Sequence, residues 1–258
     1  MTIDSCGATH RGNVRKLNQD NIYVDGMYRI DLSSDNLLLR SRRRRGIHTY
    51  GVFDGLGGGE DGEQASLMAS QMLKLVDEGH DEKKIKAFFP ALQSAIRQNT
   101  DDESVNYSGT TAAVLVLDDH TAHACNIGDS RVYLFRGNKL EMMSYDHTRE
   151  QTLIEKGILQ EPDRGHSMFR HELSQFIGSV PDEEIELNEH TASVDCRPGD
   201  IFIICSDGLT DAVDNEELVA LLESNKEESA DHIVLKLVSK ALDNNSHDNV
   251  SVITVKVK

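Results

Sequence analysis

Three aspartates stand at the ends of hydrophobic, strand-like runs. Asp54 closes Thr49 to Phe53, Asp207 closes Ile201 to Ser206, and Asp248 precedes Val250 to Val257. In antiparallel neighbours the end of one strand lies beside the start of the next. A strand ending at Asp207 and one starting after Asp248 therefore present both carboxylates at one sheet edge. Asp20, just ahead of Asn21 to Val24, stands in the same relation to Asp54. Carboxylates gathered at one edge repel one another unless a cation or a proton holds them, and an all-oxygen donor set selects Mg²⁺, Mn²⁺ or Ca²⁺ over Zn²⁺. The spacing predicts a metal centre. Asp-Gly is also an ordinary turn signal, and the chain has four such pairs, at Asp25, Asp54, Asp61 and Asp207. The apolar runs ahead of Asp54 and Asp207 set those two apart; Asp25 reads as a hairpin turn and Asp61 as an acidic helix start.

Periodicity gives the elements that must carry these residues. The first 55 residues alternate strand-like runs with turns. Ala65, Met68, Ala69, Met72 and Val76 mark an amphipathic helix ending near Gly79; Ile85, Phe89, Leu92 and Ile96 mark a second, kinked or broken at Pro90. Thr111 to Leu117, Thr121 to Ile127 and Arg131 to Phe135 read as a β-meander with a turn at Gly137-Asn138. Residues 146 to 190 are polar and weakly patterned apart from a short helix over Arg149 to Lys156, and read as a flap-like excursion of the kind that often carries function. A strand into Asp207, helices over Glu216 to Leu222 and Asp231 to Leu242, and a final strand complete the chain. Helices and hairpin-linked strands come in blocks without βαβ alternation. That predicts an α+β fold of two mainly antiparallel sheets covered by helices.

No Pro-, Gly- or Ser-rich linker divides the 258 residues, so residues 1–258 are expected to form one domain. With 44 Asp+Glu against 27 Lys+Arg the formal charge is -17, which argues against nucleic acid as the main partner. Cys6, Cys125, Cys196 and Cys205 form no Cys-x-x-Cys pair and read as thiols in a reducing compartment. Neither a basic-then-apolar leader nor an apolar stretch of membrane-spanning length is present, so a soluble cytoplasmic protein without membrane contact is expected; a monomer is expected as well.

In chain order the chemically loaded segments are Arg15-Lys-Leu-Asn-Gln-Asp20, Val52-Phe-Asp-Gly-Leu-Gly-Gly58, Ser108-Gly-Thr-Thr111, Asn126-Ile-Gly-Asp-Ser-Arg131, Asp146-His-Thr148, Cys205-Ser-Asp-Gly-Leu209 and His247-Asp-Asn-Val-Ser251. Together they resemble the type-2C, metal-dependent protein serine/threonine phosphatases, the bacterial members more than the animal ones. The resemblance implies a four-layer α-β-β-α sandwich with a two-metal centre, Mn²⁺ or Mg²⁺, between the sheets. It implies that Asp54 bridges both ions, that the Gly55 carbonyl holds the second, that Asp207 and Asp248 hold the first, and that Asp20 stands beside them. Asp129 matches the position of a third, weaker ion; its own residues also read as a turn aspartate or a partner of Arg131. Arg15 matches the phosphate-binding arginine, a role its planar fork suits. A hydroxide shared between the ions is then expected to attack phosphoserine or phosphothreonine without a covalent intermediate. Phosphorylated proteins, and a serine/threonine kinase or its substrates, are the implied partners. The alternative is a catalytically silent regulatory module of the same fold, but Arg15, Asp54, Asp207 and Asp248 are all in place.

Three features depart from the animal pattern. Gln19 replaces a glutamate, Leu56 replaces a histidine held to be a general acid, and a basic insertion spans about 27–46, including Arg40-Ser-Arg-Arg-Arg-Arg45. Its run of like charges reads as a solvated loop or as a patch that steers acidic phosphoproteins. Ser108 to Thr111 reads as close packing near the cleft, and neither His147 nor His247 is assigned to proton transfer.

Overall fold

In the strand Ala112–Leu117 every side chain is buried, yet alternate positions go to different places. Ala112, Val114 and Val116 pack into a cluster with two helices, whereas Ala113, Leu115 and Leu117 face a second sheet. A strand covered on both faces loses the polar/apolar alternation of a solvated one, which is why the site aspartates follow unbroken apolar runs.

The computed structural model describes residues 1–44, 46–57, 61–77, 82–99, 108–161, 164–165, 167–179 and 187–258. The elements are β1 (Thr2–His10), β2 (Asn21–Val24), β3 (Met27–Tyr28), β4 (Asn36–Arg44), β5 (His48–Phe53), β6 (Gly55–Gly57), α1 (Asp61–Asp77), α2 (Glu82–Asn99), β7 (Ser108–Thr110), β8 (Ala112–Leu117), β9 (Thr121–Ile127), β10 (Arg131–Arg136), β11 (Lys139–Met142), α3 (Arg149–Glu155), β12 (Ile177–Ser179), β13 (His190–Asp195), β14 (Ile201–Cys205), α4 (Asp207–Thr210), α5 (Asn215–Asn225), α6 (Ala230–Asp243) and β15 (Val250–Val257). One six-stranded sheet runs β11-β10-β14-β15-β1-β4 and the other β13-β9-β8-β5-β2-β3; a small sheet, β12-β7-β6, stands apart. The pairings are antiparallel throughout these described sheets.

Three apolar clusters separate four layers. Tyr23, Phe53 and Val114 pack under α1 and α2; Ile22, Val52, Phe202 and Ile253 fill the space between the sheets; Cys6, Ile203 and Val252 pack under α5 and α6. The fold is the α+β sandwich expected, with the small third sheet as an addition.

The structure corrects two expectations. Of the kink or break expected at Pro90, the break does not occur: helix α2 runs through it. Pro in a helix interior costs about 3 kcal/mol, but Phe88, Phe89 and Leu92 are buried at about 1.5–3 kcal/mol each, so packing outweighs the lost hydrogen bond. The end of α1 near Gly79 and the side chain of Ile85 lie outside the described residues. The second correction concerns the basic insertion: Asn36–Arg44 is no loop but a nine-residue edge strand, paired with β1 along its whole length. Its inward residue Ser41 donates to Asp25 Oδ2 at 2.6 Å. Asp25 has φ 47 and Gly26 φ 91, the positive values a tight hairpin turn requires. The Asp25 carboxylate turns inward and is also reached by His48 Nδ1 at 3.2 Å and by the Thr49 amide at 3.2 Å.

Candidate metal centre

Strand register delivers the acidic residues. Asn21 pairs with Phe53, so Asp20 and Asp54 lie side by side at one end of the β2–β5 ladder. Cys205 pairs with Val252, which brings Asp207 and Asp248 to the matching end of the other sheet. Arg131 pairs with Cys205, which places Asp129, in the turn ahead of β10, beside Asp207. Arg15, Asp54, Gly55, Asp129, Asp207 and Asp248 all line one cavity of about 750 Å³, and Asp20 is fully buried beneath it. Two glycines permit this convergence. A Cβ on Gly208 would fall 1.9 Å from the Asn249 carbonyl oxygen, and one on Gly55 2.2 Å from that of Gly62. Only a bare backbone fits at either place.

A polar foundation holds the carboxylates in position. Ser206 Oγ donates to Asp20 Oδ2 at 2.9 Å and accepts from the Ser251 amide at 3.1 Å. Asn249 joins the Arg11–Gln19 loop to the start of β15: its Nδ2 donates to the carbonyls of Arg11 and Leu17, and its Oδ1 accepts from the Gln19 amide. Thr110 Oγ1 and the Thr111 amide both donate to the Asp54 carbonyl, and Thr111 Oγ1 accepts from the Asp54 amide. The Ser108–Thr111 segment, read from sequence as close packing, thus also fixes the Asp54 backbone.

The electrostatics are those of a crowded acidic site. Burial, with Asp20, Asp207, Asp248 and Asp129 adding repulsion, pushes Asp54 well above the usual carboxylate range. Burial first and then Asp248 and Asp207 push Asp20 up to about 7. Asp129 is raised by burial, Asp207 and Asp146, and Asp248 by burial and Asp207. Arg15 Nη2 donates to Asp248 Oδ2 at 2.6 Å, which draws Asp248 back down and raises Arg15. Asp20 Oδ1 and Asp207 Oδ1 are buried with no hydrogen-bond partner among the described residues. Orphaned buried carboxylate oxygens, mutual repulsion and an all-oxygen donor set fit a hard divalent cation.

One consequence follows for pH. Because the folded-state pKa of Asp20, about 7, lies above the unfolded value of roughly 3.9, the stability that protonated Asp20 contributes is full below about 3.9 and is lost progressively as pH rises to about 7. A divalent ion held there would take the place of that proton. Saturating Mn²⁺ is therefore expected to raise Tm more at pH 8 than at pH 5.5, by calorimetry of the same sample; an equal or smaller gain at pH 8 would contradict the assignment.

The other candidates sort as follows. Arg131 is engaged by Asp146, with Nη2 to Oδ2 at 2.6 Å and Nε to Oδ1 at 2.9 Å, so the alternative pairing with Asp129 is not the one adopted. His147 is buried, with its ring nitrogens at the Gly128 and Asn188 carbonyls, and His247 lines the cavity. Leu56 and Gln19 also line it. Sequence reasoning missed Arg170, His171 and Asp211. His171 lies with Nε2 3.5 Å from Asp211 Oδ2 and Nδ1 3.8 Å from Asp207 Oδ2, and these three form a potential ligand group. Asp211 was legible as the i+4 neighbour of Asp207 on one helical face. His171, carried by the excursion, gave no such signal. Gly58 lies outside the described residues.

The family model for protein phosphatase 2C matches residues 21–153 and 174–250, most of the chain. The chain belongs to the protein phosphatase 2C family. It is 28% identical over 262 residues to the serine/threonine protein phosphatase PstP of Mycobacterium tuberculosis, matching all of this chain but 45% of PstP. This phosphatase-2C chain thus spans less than half the length of PstP. It is 26% identical over 259 residues to the serine/threonine phosphatase stp of Listeria monocytogenes, covering 96% of this chain and 93% of the relative. The crystal structure of the M. tuberculosis serine/threonine phosphatase PstP/Ppp superposes with a TM-score of 0.80 at 25% identity, over 100% of both chains. These phosphatase-2C relatives are bacterial, as the motif pattern implied.

Proposed function

We propose that this chain hydrolyses phosphoserine and phosphothreonine esters of proteins at the cavity between its sheets, with Mn²⁺ or Mg²⁺ as cofactor. The observation that supports this most is the convergence of Asp54 from one sheet with Asp207 and Asp248 from the other beside Arg15. Asp54, the Gly55 carbonyl, Asp207 and Asp248, with Asp20 beneath them, would hold two ions. Asp129 would hold a third with Asp207, where His171 and Asp211 add donors. Divalent ions bound there acidify water towards neutral pH and offset phosphate charge.

The protein's own groups do the rest. Arg15 leaves Asp248 and places its two-pronged donor set on the phosphate oxygens, fixing the ester's orientation and offsetting charge that develops in the transition state. Asp20, held by Ser206, orients the cluster from below. No histidine takes the place of Leu56, so protonation of the leaving alkoxide does not come from that position.

Arg15→Ala tests the reading. It is expected to lower kcat/KM for a phosphothreonine peptide and for an aryl phosphate by roughly one to three powers of ten. Mn²⁺ affinity measured by calorimetry should hold or rise, because Asp248 loses a competing partner. Arg15→Lys should restore only part. Equal turnover in all three proteins would return Arg15 to a surface charge.

The partners we propose are phosphorylated proteins, in signalling with a serine/threonine kinase or its substrates, and the setting is a cytoplasmic monomer. The names of the relatives support the substrate class. The four free cysteines support a reducing compartment. Among the described residues no helix is long and apolar enough to cross a membrane.

A further inference from the structure

Strand β4 is the outermost strand of its sheet, and among the described residues β1 is its one strand neighbour. Its far edge therefore presents main-chain groups that another strand could pair with. Edges of this kind are dangerous when flat and mobile, but β4 is anchored. Leu39 packs against the inter-sheet core, Ser41 bonds the buried Asp25 carboxylate, and Arg43 Nη2 donates to the Asp25 carbonyl at 3.1 Å. The outward residues alternate with these. Leu38 is 37% exposed, Arg40 reaches Asp231 at the start of α6, and Arg42 shares the Asp4 carboxylate with Lys258. One carboxylate thus faces two cations, and positive charge remains in excess on this edge of a chain whose formal charge is -17.

The edge also leads to the catalytic cavity. Asn36, the first residue of β4, pairs with His10 and accepts from the Arg11 amide; Asp35 pairs with Arg11 and its carbonyl accepts from Asn18 Nδ2. These are the neighbours of the segment that carries Arg15 and Asp20. At about 3.3 Å per residue, Arg40 and Arg42 lie roughly 13 and 20 Å along the strand from Asn36.

We propose that the free edge of β4 is a docking rail for an acidic, extended segment of the phosphoprotein substrate, which adds as a strand beyond β4 with its carboxylates on Arg40 and Arg42 while the phosphorylated residue lies in the cavity. Main-chain pairing supplies affinity without regard to sequence, and the arginines supply the preference for acidic side chains. A second copy of this chain is a poorer occupant, because edge-to-edge pairing would bring two arginine-rich strands together. The inference rests on the phosphatase reading and adds a substrate preference to it.

The test uses the full chain, Mn²⁺ and two phosphothreonine peptides. One carries four glutamates about six to ten residues from the phosphothreonine, a span set by the strand rise; the other has glutamines there. Hydrolysis gives kcat/KM, fluorescence anisotropy gives binding, and an aryl phosphate reports the cavity alone. The wild type is expected to favour the acidic peptide by about tenfold, an advantage that shrinks as salt approaches about half molar and that the Arg40→Ser/Arg42→Ser double variant loses. The aryl phosphate rate should stay unchanged in the double variant. Methylating alternate main-chain nitrogens of the acidic segment should weaken its binding although its charge is intact. Equal kcat/KM for the two peptides in the wild type would overturn the proposal. So would a double variant that keeps the acidic preference, which, if it also dimerises or aggregates, would make the arginines guards of an exposed edge only. No turnover of any phosphate ester by the wild type would overturn the phosphatase reading instead, and the anisotropy comparison would still decide the rail.

Discussion

Asp54→Asn is expected to lower turnover of an aryl phosphate in Mn²⁺ by about three powers of ten or more while raising the thermal stability of the metal-free protein at pH 8. Both effects have one cause. Asp54 is crowded by Asp20, Asp207, Asp248 and Asp129, and its ionised form is disfavoured by burial and by every one of those neighbours. A neutral amide of the same shape relieves that repulsion and removes an anionic ligand. A gain of about 1 kcal/mol would shift Tm by roughly 2–4 °C in a chain of this size. The opposite signs matter, because a variant that merely misfolds loses stability and activity together. Near-normal hydrolysis in Mn²⁺, or a lower Tm without metal, would sink the assignment of Asp54.

The second large effect is expected at a residue that does not itself line the cavity. Arg29 is 1% exposed, and its guanidinium donates to the carbonyls of Asn18 at 2.6 Å, Asp20 at 3.0 Å, Leu32 at 2.7 Å and Ser34 at 2.9 Å. One side chain thus ties the start of the basic insertion to the loop that carries Asp20. Arg29→Met removes the donor shared by these four carbonyls, two of them buried, and the 3.5 Å ion pair with Glu63. The expected cost is about 3–5 kcal/mol in urea unfolding, with more Mn²⁺ needed for half-maximal turnover. Lysine should recover little, since one ammonium cannot reach four acceptors arranged around a planar fork. Arg29→Met within about 1 kcal/mol of wild type, with an unchanged Mn²⁺ requirement, would show that the clamp is dispensable.

Arg29 also shows where sequence reasoning stops. The strands bearing Asp54, Asp207 and Asp248 were legible because burial on both faces writes an unbroken apolar run, and antiparallel pairing then fixes which ends meet. The acidic cluster was legible because its members sit at those ends. A guanidinium that serves main-chain carbonyls leaves no pattern, and Arg29 reads as one more charge in a basic stretch. Strand β4 was hidden for a related reason: its outward arginines carry their charge into solvent on long stems, so a regular edge strand reads as a charged loop. The small sheet β12-β7-β6 escaped notice because its strands are three residues long and rich in glycine. His171 reaches the cluster only through the path of the excursion, which local periodicity does not encode.

The two sheets meet at their acidic ends through residues very distant along the chain: Asp54 belongs to one sheet, and Asp207 and Asp248 to the other. An ion held by all three would tie these distant segments as a covalent staple does, and such a tie would have to be released before the sheets could part. A centre of that kind would also fasten the layers together, and the lifetime of the folded chain in denaturant would depend on how much divalent metal surrounds it.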